Sequence, residues 1–310
     1  MRHVTRVDHG DFDLSTPTGR GAEVRDVIGA AAKVDGRSPL NEAALLALRH
    51  QGLAGATLFV VGSPVRGFAV VHDHLGTHQD AELNLVVAPE HRGRGHGTAL
   101  LTAAVSDGRS PLTAWSHGNH PAAAALAASF GFDRVRDLWV MRRSLHEPLP
   151  EPAPSAGSAR VDVRPFRPGE DEAAFLAVNR AAFAHHPEQG SLSLEDLRAR
   201  EEEPWFDPAG FFLAWRDGEL LGYHWTKVHS ATTGEVYVLG IAPGAQGGGL
   251  GKLLTWTGLQ HLQARGLEEV ILYVEADNAP AIAVYSGLGF THAAEDTDVQ
   301  YALDRAALNH

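Results

Sequence analysis

"AQGGGLGKLL", Ala245–Leu254, is the stretch on which the reading of this chain turns. Four of the seven residues Ala245–Gly251 are Gly. Glycine accepts positive φ and lets backbone come close to a ligand. Leu250, Leu253, Leu254 and Leu262 then recur at helical spacing, and Gly266 is placed to end the helix. The first turn of such a helix has unpaired N–H groups and the positive end of the dipole, so it holds an anion without a basic surface. The spacing is not the dinucleotide G-x-G-x-x-G, and no Lys-Ser/Thr follows the last Gly as in a Walker loop. Taken alone, the loop reads equally as a tight strand-to-helix turn without a ligand.

A related stretch lies earlier, "HRGRGHGTALL", His91–Leu101. The surroundings repeat as well. Each copy follows an apolar strand, "LNLVVAP" or "VYVLGIAP". Each precedes a second strand, "LTAWSHG" or "VILYVEA", then a short helix and "FGF" or "LGF". Upstream, helices are expected over Ala22–Val34 and Glu170–Ala184. Hairpins are expected in "GATLFVVGSPVRGFAVVHD" and in "GFFLAWRDGELLGYHWTKV", where Asp217-Gly218 supplies turn residues that tolerate positive φ. Between the copies lies "HEPLPEPAPSAGSAR", with Pro148, Pro150, Pro152 and Pro154 at alternate positions, the composition of an extended linker. The expected organisation is a domain-scale repeat: a first domain over 1–145, a linker over 146–159 and a second domain over 160–310. The fold class is mixed α/β, with a central sheet and flanking helices in each domain.

Composition removes several function classes. The 310 residues carry a formal charge of −12, which speaks against nucleic acid as the main partner. The absence of Cys excludes disulfides, zinc–thiolate sites and a cysteine nucleophile. No apolar run reaches the roughly 18 residues of a membrane span, and the first residues lack a signal-peptide core. A soluble, cytoplasmic protein is expected. Among 18 His, the densest cluster is His72, Asp73, His74 and His78; it lacks the HExxH spacing, so no metal site is expected.

The loop, the strand before it and the segment N-x-x-A-x-x-x-Y-x-x-x-G-F, Asn278–Phe290, together resemble the GCN5-related N-acetyltransferases (GNAT), in both halves. The resemblance implies acetyl-CoA as cosubstrate. In the second half it assigns the pyrophosphate to Gln246, Gly247, Gly248, Gly249, Leu250, Gly251 and Lys252. Backbone N–H groups at Leu239 and Ile241 fall to the acetyl carbonyl, and Gly240, Asn278 and Ala281 are further acetyl-CoA contacts. It implies a second acetyl-CoA site at Leu85, Val86, Val87, Arg92, Gly93, Arg94, Gly95, His96 and Gly97. "AAFAHHPEQG", "WFDPAGF", "GYHWTKVH", "GEVYVLG" and "LYVEADN" narrow the resemblance to the mycothiol-forming branch, which is a tandem acetyltransferase. That branch acetylates the cysteinyl amine of a cysteine amide-linked to a glucosamine–inositol pseudodisaccharide, a small thiol substrate. It implies substrate contacts from Glu42, Glu188, Lys227, Glu235 and Tyr273, a proton acceptor in Glu235 and a hydrogen-bond donor to the leaving thiolate in Tyr285. By analogy with dimers of single-domain relatives, the tandem chain is expected to be monomeric.

Singly, these residues have plainer readings. Glu42 reads as a solvated helix residue, Tyr273 as core, Lys227 as an outward strand residue, and Trp205, Phe206 and Trp225 as core or pocket wall. Pairing Ala88-Pro89 with Ala242-Pro243 puts Ala81 opposite Glu235, with Glu82 one residue away and turned to the other face, and pairing Phe132 with Phe290 puts Ala127 opposite Tyr285. The first half is therefore expected to bind acetyl-CoA without catalysing. The competing functions are a tandem acetyltransferase for another amine or a peptide N-terminus, and a non-catalytic acyl-CoA sensor. A sensor needs neither Glu235 nor Tyr285.

Overall fold

The computed structural model describes residues 3–73, 80–109, 111–153, 155, 160–184 and 190–304. It divides into two compact units, Met1–Leu138 with Ala294–His310, and Trp139–Ala293.

The first unit contains β1 (Val4–Val7), α1 (Arg20–Asp35), α2 (Glu42–His50), β2 (Ala56–Val61), β3 (Gly67–His72), β4 (Ala81–Val87), α3 (His96–Ser106), β5 (Leu112–Ser116) and α4 (Pro121–Ser129). Next comes β6 (Asp133–Ser144). The second unit contains β7 (Asp162–Pro165), α5 (Glu172–Ala182), α6 (Leu194–Glu201), β8 (Phe211–Arg216), β9 (Glu219–Val228), β10 (Thr233–Ile241), α7 (Leu250–Ala264), β11 (Glu269–Glu275) and α8 (Ala279–Gly287). The last strand is β12 (Thr291–Leu303). Strand order in the first unit is β1-β2-β3-β4-β5-β12, and in the second β6-β11-β10-β9-β8-β7. The linker is thus not the whole boundary. β6 hands Trp139–Ser144 to the second unit, and β12 hands its Ala294–Leu303 portion to the first. Each unit closes its sheet with the strand that ends the other half of the sequence.

Local chemistry explains the element ends. Asn41 caps α2 by accepting from Ala44 N–H at 2.8 Å. Ser193 and Asp196 form a reciprocal capping box on α6. The β8–β9 turn uses Asp217 at φ 50° and Gly218 at φ 83°, a pair whose backbone twist matches a two-residue hairpin.

In the second unit α7 packs one sheet face, burying Leu259 and Leu262 on Val236, Val270 and Leu272. On the other face α5 brings Phe175 and Val178 onto Phe211, Leu213, Tyr223, Trp225 and Val238. Trp225 is therefore core, with Trp205 and Phe206 packed against the same cluster. The first unit repeats this arrangement. α3 covers Leu83, Val71 and Leu112, and α1 covers Phe68, Val70 and Val86.

Two buried histidines tie stability to pH. His224 lies under α7, its Nδ1–H donating to the Leu254 carbonyl at 2.7 Å. Burial lowers its pKa to about 4. Burial likewise lowers His72 in the first unit to about 4, against the pull of Asp73. In the unfolded chain both titrate near the ordinary value of about 6.5. Their native environments favour the neutral ring, so stability is complete above about pH 6.5 and is lost as pH falls toward 4, by about 3 kcal/mol per histidine. Urea unfolding is expected to shift to lower denaturant between pH 7 and pH 4.5, and His224→Asn is expected to flatten that dependence. A His224→Asn profile as steep as wild type refutes the assignment.

Candidate active site

The glycine loop of the second unit begins after β10 with a short 3-10 turn, Pro243–Ala245. Gly247 adopts φ 78° and Gly249 φ 84°, and Gly249 is the N-cap of α7 without any side-chain cap. The first N–H groups of α7 are left without a side-chain cap, as anion binding requires. Lys252 is exposed in the first turn. The Gln246 amide donates back to the Ile241 carbonyl at 3.3 Å. Ser155, from the linker, donates to the Gly248 carbonyl at 2.6 Å.

β10 pairs with β9 along its length to Ile241, but with β11 only from Thr233↔Glu269 to Val236↔Leu272. The two parallel strands part beyond Val236. This leaves the β11-facing backbone edge beside Leu239, Gly240 and Ile241 outside the ladder, the splay that a pantetheine arm needs. Gly240 also serves packing, since a Cβ there would meet the Tyr223 ring at 2.6 Å. Asn278 caps α8 by accepting from Ala281 N–H at 3.2 Å, so its carbonyl oxygen is committed to the helix.

Cross-strand partners share a sheet face. Glu235 pairs with Lys227 on β9 and Ile271 on β11, all on the face away from α7. Tyr273 follows Ile271 on that face by the two-residue period and is 43% exposed. Glu235 is buried. Its Oε2 lies 2.6 Å from His229 Nε2, from the β9–β10 turn. An ionised carboxylate only accepts, so His229 donates and the other Glu235 oxygen is the one that can face an incoming amine. Lys227 Nζ stands 4.0 Å over the Trp205 ring and 4.9 Å from the Tyr237 ring centre. Arg200 Nε donates to the Tyr237 hydroxyl at 2.9 Å. Tyr285 packs edge-on to Phe290, and burial pushes its phenol up to about 12. It is a neutral hydrogen-bond donor at any working pH. Proton transfer from it to a thiolate, whose conjugate thiol titrates near 8.5, is uphill by about 3–4 pH units.

The structure brings Glu235 and Lys227 together, with Tyr273 on the same face. Glu42 belongs to the first unit, at the first turn of α2. Glu188 lies outside the described residues, as do His74 and His78. Among the described residues no group of three or more His, Asp or Glu has metal-binding geometry. The sequence reading overlooked His229 as a partner of Glu235. It stood in plain view in "GYHWTKVH", but only the turn geometry shows that it reaches back.

One expectation is corrected. β10 carries a bulge between Val236 and Val238, which makes Tyr237 an extra residue. β4 pairs with β3 without a break. The offset between halves therefore changes by one at the bulge. Glu82↔Thr113 in the first unit matches Glu235↔Ile271 in the second, and His72 opposite Glu82 matches Lys227 opposite Glu235. The first half keeps the carboxylate after all, on the same face. There it is engaged, accepting from Asn41 at 2.8 Å and Asn84 at 3.0 Å. The tyrosine is absent as expected. Phe132 N–H donates to the Ala127 carbonyl as Phe290 N–H does to that of Tyr285.

The first-half loop otherwise repeats the second. Gly93 and Gly95 take φ 69° and 75°, and Gly95 caps α3 without a side-chain bond. β4 leaves β5 after Leu83↔Ala114, freeing the edge at Leu85, Val86 and Val87. Arg92 Nε donates to the Val87 carbonyl at 3.1 Å, while its guanidinium forms a bidentate pair with Asp35 at 2.7 and 2.6 Å. Arg94 is exposed. His96 is buried, edge-on to His91, and Gly97 follows it in the first turn.

Residues 178–290 match the Acetyltransferase (GNAT) family, and residues 54–134 match an Acetyltransferase (GNAT) domain. A tandem GNAT protein from the clavulanic acid biosynthesis pathway superposes with a TM-score of 0.71 at 21% identity, covering 97% of this chain and 98% of that one. A mycothiol acetyltransferase of a Nocardioides species is 52% identical over 90% of this chain and 96% of its own. One from Streptomyces avermitilis is 52% identical over 91% of each chain. With two GNAT units, two matching loops and that identity over nearly the whole length, the chain belongs to the mycothiol acetyltransferases, within the GCN5-related N-acetyltransferases.

Proposed function

We propose that the second half transfers the acetyl group of acetyl-CoA to the cysteinyl amine of the cysteine–glucosamine–inositol conjugate, giving mycothiol and coenzyme A, the activity of a mycothiol synthase. The observation that carries this is the buried Glu235, backed by His229, on the strand whose open edge receives the acetyl carbonyl. Acetyl-CoA fits the uncapped α7 terminus, the positive-φ glycines and the parted strands.

The reaction is direct attack in a ternary complex. Backbone N–H groups beside Leu239 and Ile241 polarise the thioester carbonyl. Glu235 accepts the proton of the amine, directly or through one water, and His229 steadies the carboxylate. The C–N bond forms, the C–S bond breaks, and the proton returns to sulfur. Tyr285 hydrogen-bonds the nascent thiolate throughout. Lys227, Tyr273 and Glu188 are assigned to the hydroxyls and amide of the acceptor; for Glu42 and Glu188 the support is the resemblance alone. The first half, with Ala127 in place of the tyrosine, is assigned an acetyl-CoA-binding role outside this reaction.

Coenzyme A release with the natural acceptor tests the assignment. Wild type is expected to turn over rapidly. Tyr285→Phe removes one hydrogen bond to a charged group, about 1.5–3 kcal/mol, and is expected to lower kcat by roughly 10–150-fold with acetyl-CoA KM unchanged. Turnover of other primary amines but not this one favours a tandem acetyltransferase for a different acceptor. No turnover of any amine favours a sensor.

A further inference from the structure

In the first unit the parted strands, the glycine loop and α4 enclose a cavity of about 390 Å³. Its wall includes Leu83, Leu85, Val87, Leu126, Ala127 and Phe132, a mostly apolar lining. Two of its polar residues, Ser116 and His117, lie at the end of β5. His117 Nδ1 lies 2.8 Å from Asp298 Oδ2. Asp298, 3% exposed, also accepts from Gly118 N–H at 2.9 Å and from Arg37 at 3.2 Å. Arg37 is itself anchored on Asp296 at 2.6 Å. The ionised Asp298 accepts only, so Nδ1 carries the hydrogen and Nε2 a lone pair. Nε2 is buried and has no hydrogen-bond partner among the described residues, and His117 lines the cavity. Ser116 Oγ, on a side chain 6% exposed, is buried in the cavity wall and has none either.

A buried imidazole nitrogen without a partner costs free energy unless a ligand meets it. A histidine held by a buried carboxylate, with its second nitrogen on a cavity, is the arrangement of a general base. The equivalent place in the second half belongs to Glu275, since Ala114 pairs with Leu83 as Leu272 pairs with Val236. The two halves therefore carry different acid–base groups on one scaffold. In the first half the carboxylate matching Glu235 is tied down by Asn41 and Asn84, and the histidine takes its place.

We propose that the first half is a second acyl-transfer centre, in which His117, positioned by Asp298, is the base for a small primary amine attacking an acyl-CoA thioester. The amine nitrogen bonds to the carbonyl carbon and the C–S bond breaks. The amine proton passes to His117 Nε2 and from there to the leaving thiolate, giving an amide and the free thiol. No other reactant is consumed. The acceptor is small, because it shares a cavity of about 390 Å³ with the acyl end of the cosubstrate.

The test uses the full chain with the second centre disabled, Glu235→Gln with Tyr285→Phe, supplied with acetyl-CoA and glycinamide as the amine. Glycinamide-dependent release of coenzyme A is expected to persist and to fall at least 100-fold on adding His117→Gln, in the range of general-base effects. Ala123→Phe, which fills the cavity from α4, is expected to abolish the same release. Asp298→Asn is expected to lower kcat while acetyl-CoA KM stays put, as for a positioning residue. Unfolding curves for each variant separate these effects from loss of fold. Absence of amine-dependent release from the double variant, release indifferent to His117→Gln, or an Asp298→Asn effect on KM alone overturns the proposal. Wild-type activity on the cysteinyl acceptor is measured separately, so failure here leaves the second-half assignment intact.

Discussion

Glu235→Gln is expected to lower kcat/KM for the cysteinyl acceptor by about 10²–10⁴-fold, the range for removal of a general base. The substitution keeps the shape and the hydrogen bond to His229 but removes the proton acceptor. Acetyl-CoA KM is expected to hold, because the glycine loop and the α7 terminus lie at the other end of β10. The deficit has a pH signature. An α-amino group titrates near 7.7–8.0, so above about pH 9 the acceptor arrives deprotonated and the variant regains part of the lost rate. His229→Ala leaves the carboxylate in place and is expected to cost about tenfold, the worth of one charge-assisted hydrogen bond. Initial rates of coenzyme A release from pH 6.5 to 9.5 check all three. A Glu235→Gln enzyme with wild-type kcat removes Glu235 from the role of base.

Gly258→Ala is expected to destabilise the fold by about 2–4 kcal/mol, although Ala is the better helix former by about 1 kcal/mol. Gly258 lies in α7 directly over the His224 ring. A Cβ at this position would overlap the ring and come 3.0 Å from Thr226 Cγ2. The ring is fully buried, held by its bond to the Leu254 carbonyl, and has nowhere to retreat. The helix must lift from β9, and the glycine loop at its N-terminus moves with it. Urea unfolding is expected to show a lower midpoint with an unchanged m-value, together with a raised acetyl-CoA KM. A midpoint equal to wild type refutes the tight approach of α7 to β9.

Much of this was legible in the sequence. The strands flanking each loop, the hairpin at Asp217-Gly218 and the left-handed glycines are written in local patterns. The match of Ala127 to Tyr285 held because no residue is inserted between the helix and the following Phe in either half. The match of Ala81 to Glu235 failed because a single bulge residue, Tyr237, is invisible to hydrophobic alternation. One extra residue reverses every side chain upstream of it relative to a simple offset. The His117–Asp298 pair was out of reach for a different reason. Its members stand 181 residues apart, and β12 must first cross to the first unit for them to meet.

That crossing also bears on the order of manufacture. A ribosome delivers β1 through β5 early, yet the strand that completes their sheet, β12, is among the last segments it makes. From Leu138 to Val299, synthesis at about 5–20 residues per second takes roughly 10–30 s. Through that interval β5 has an unpaired edge, the feature most prone to wrong pairing with other chains. The second unit faces no such wait, since β6 precedes it. The nascent chain is thus expected to complete its later half first, and a message cut short in the second half leaves the earlier half unfinished as well.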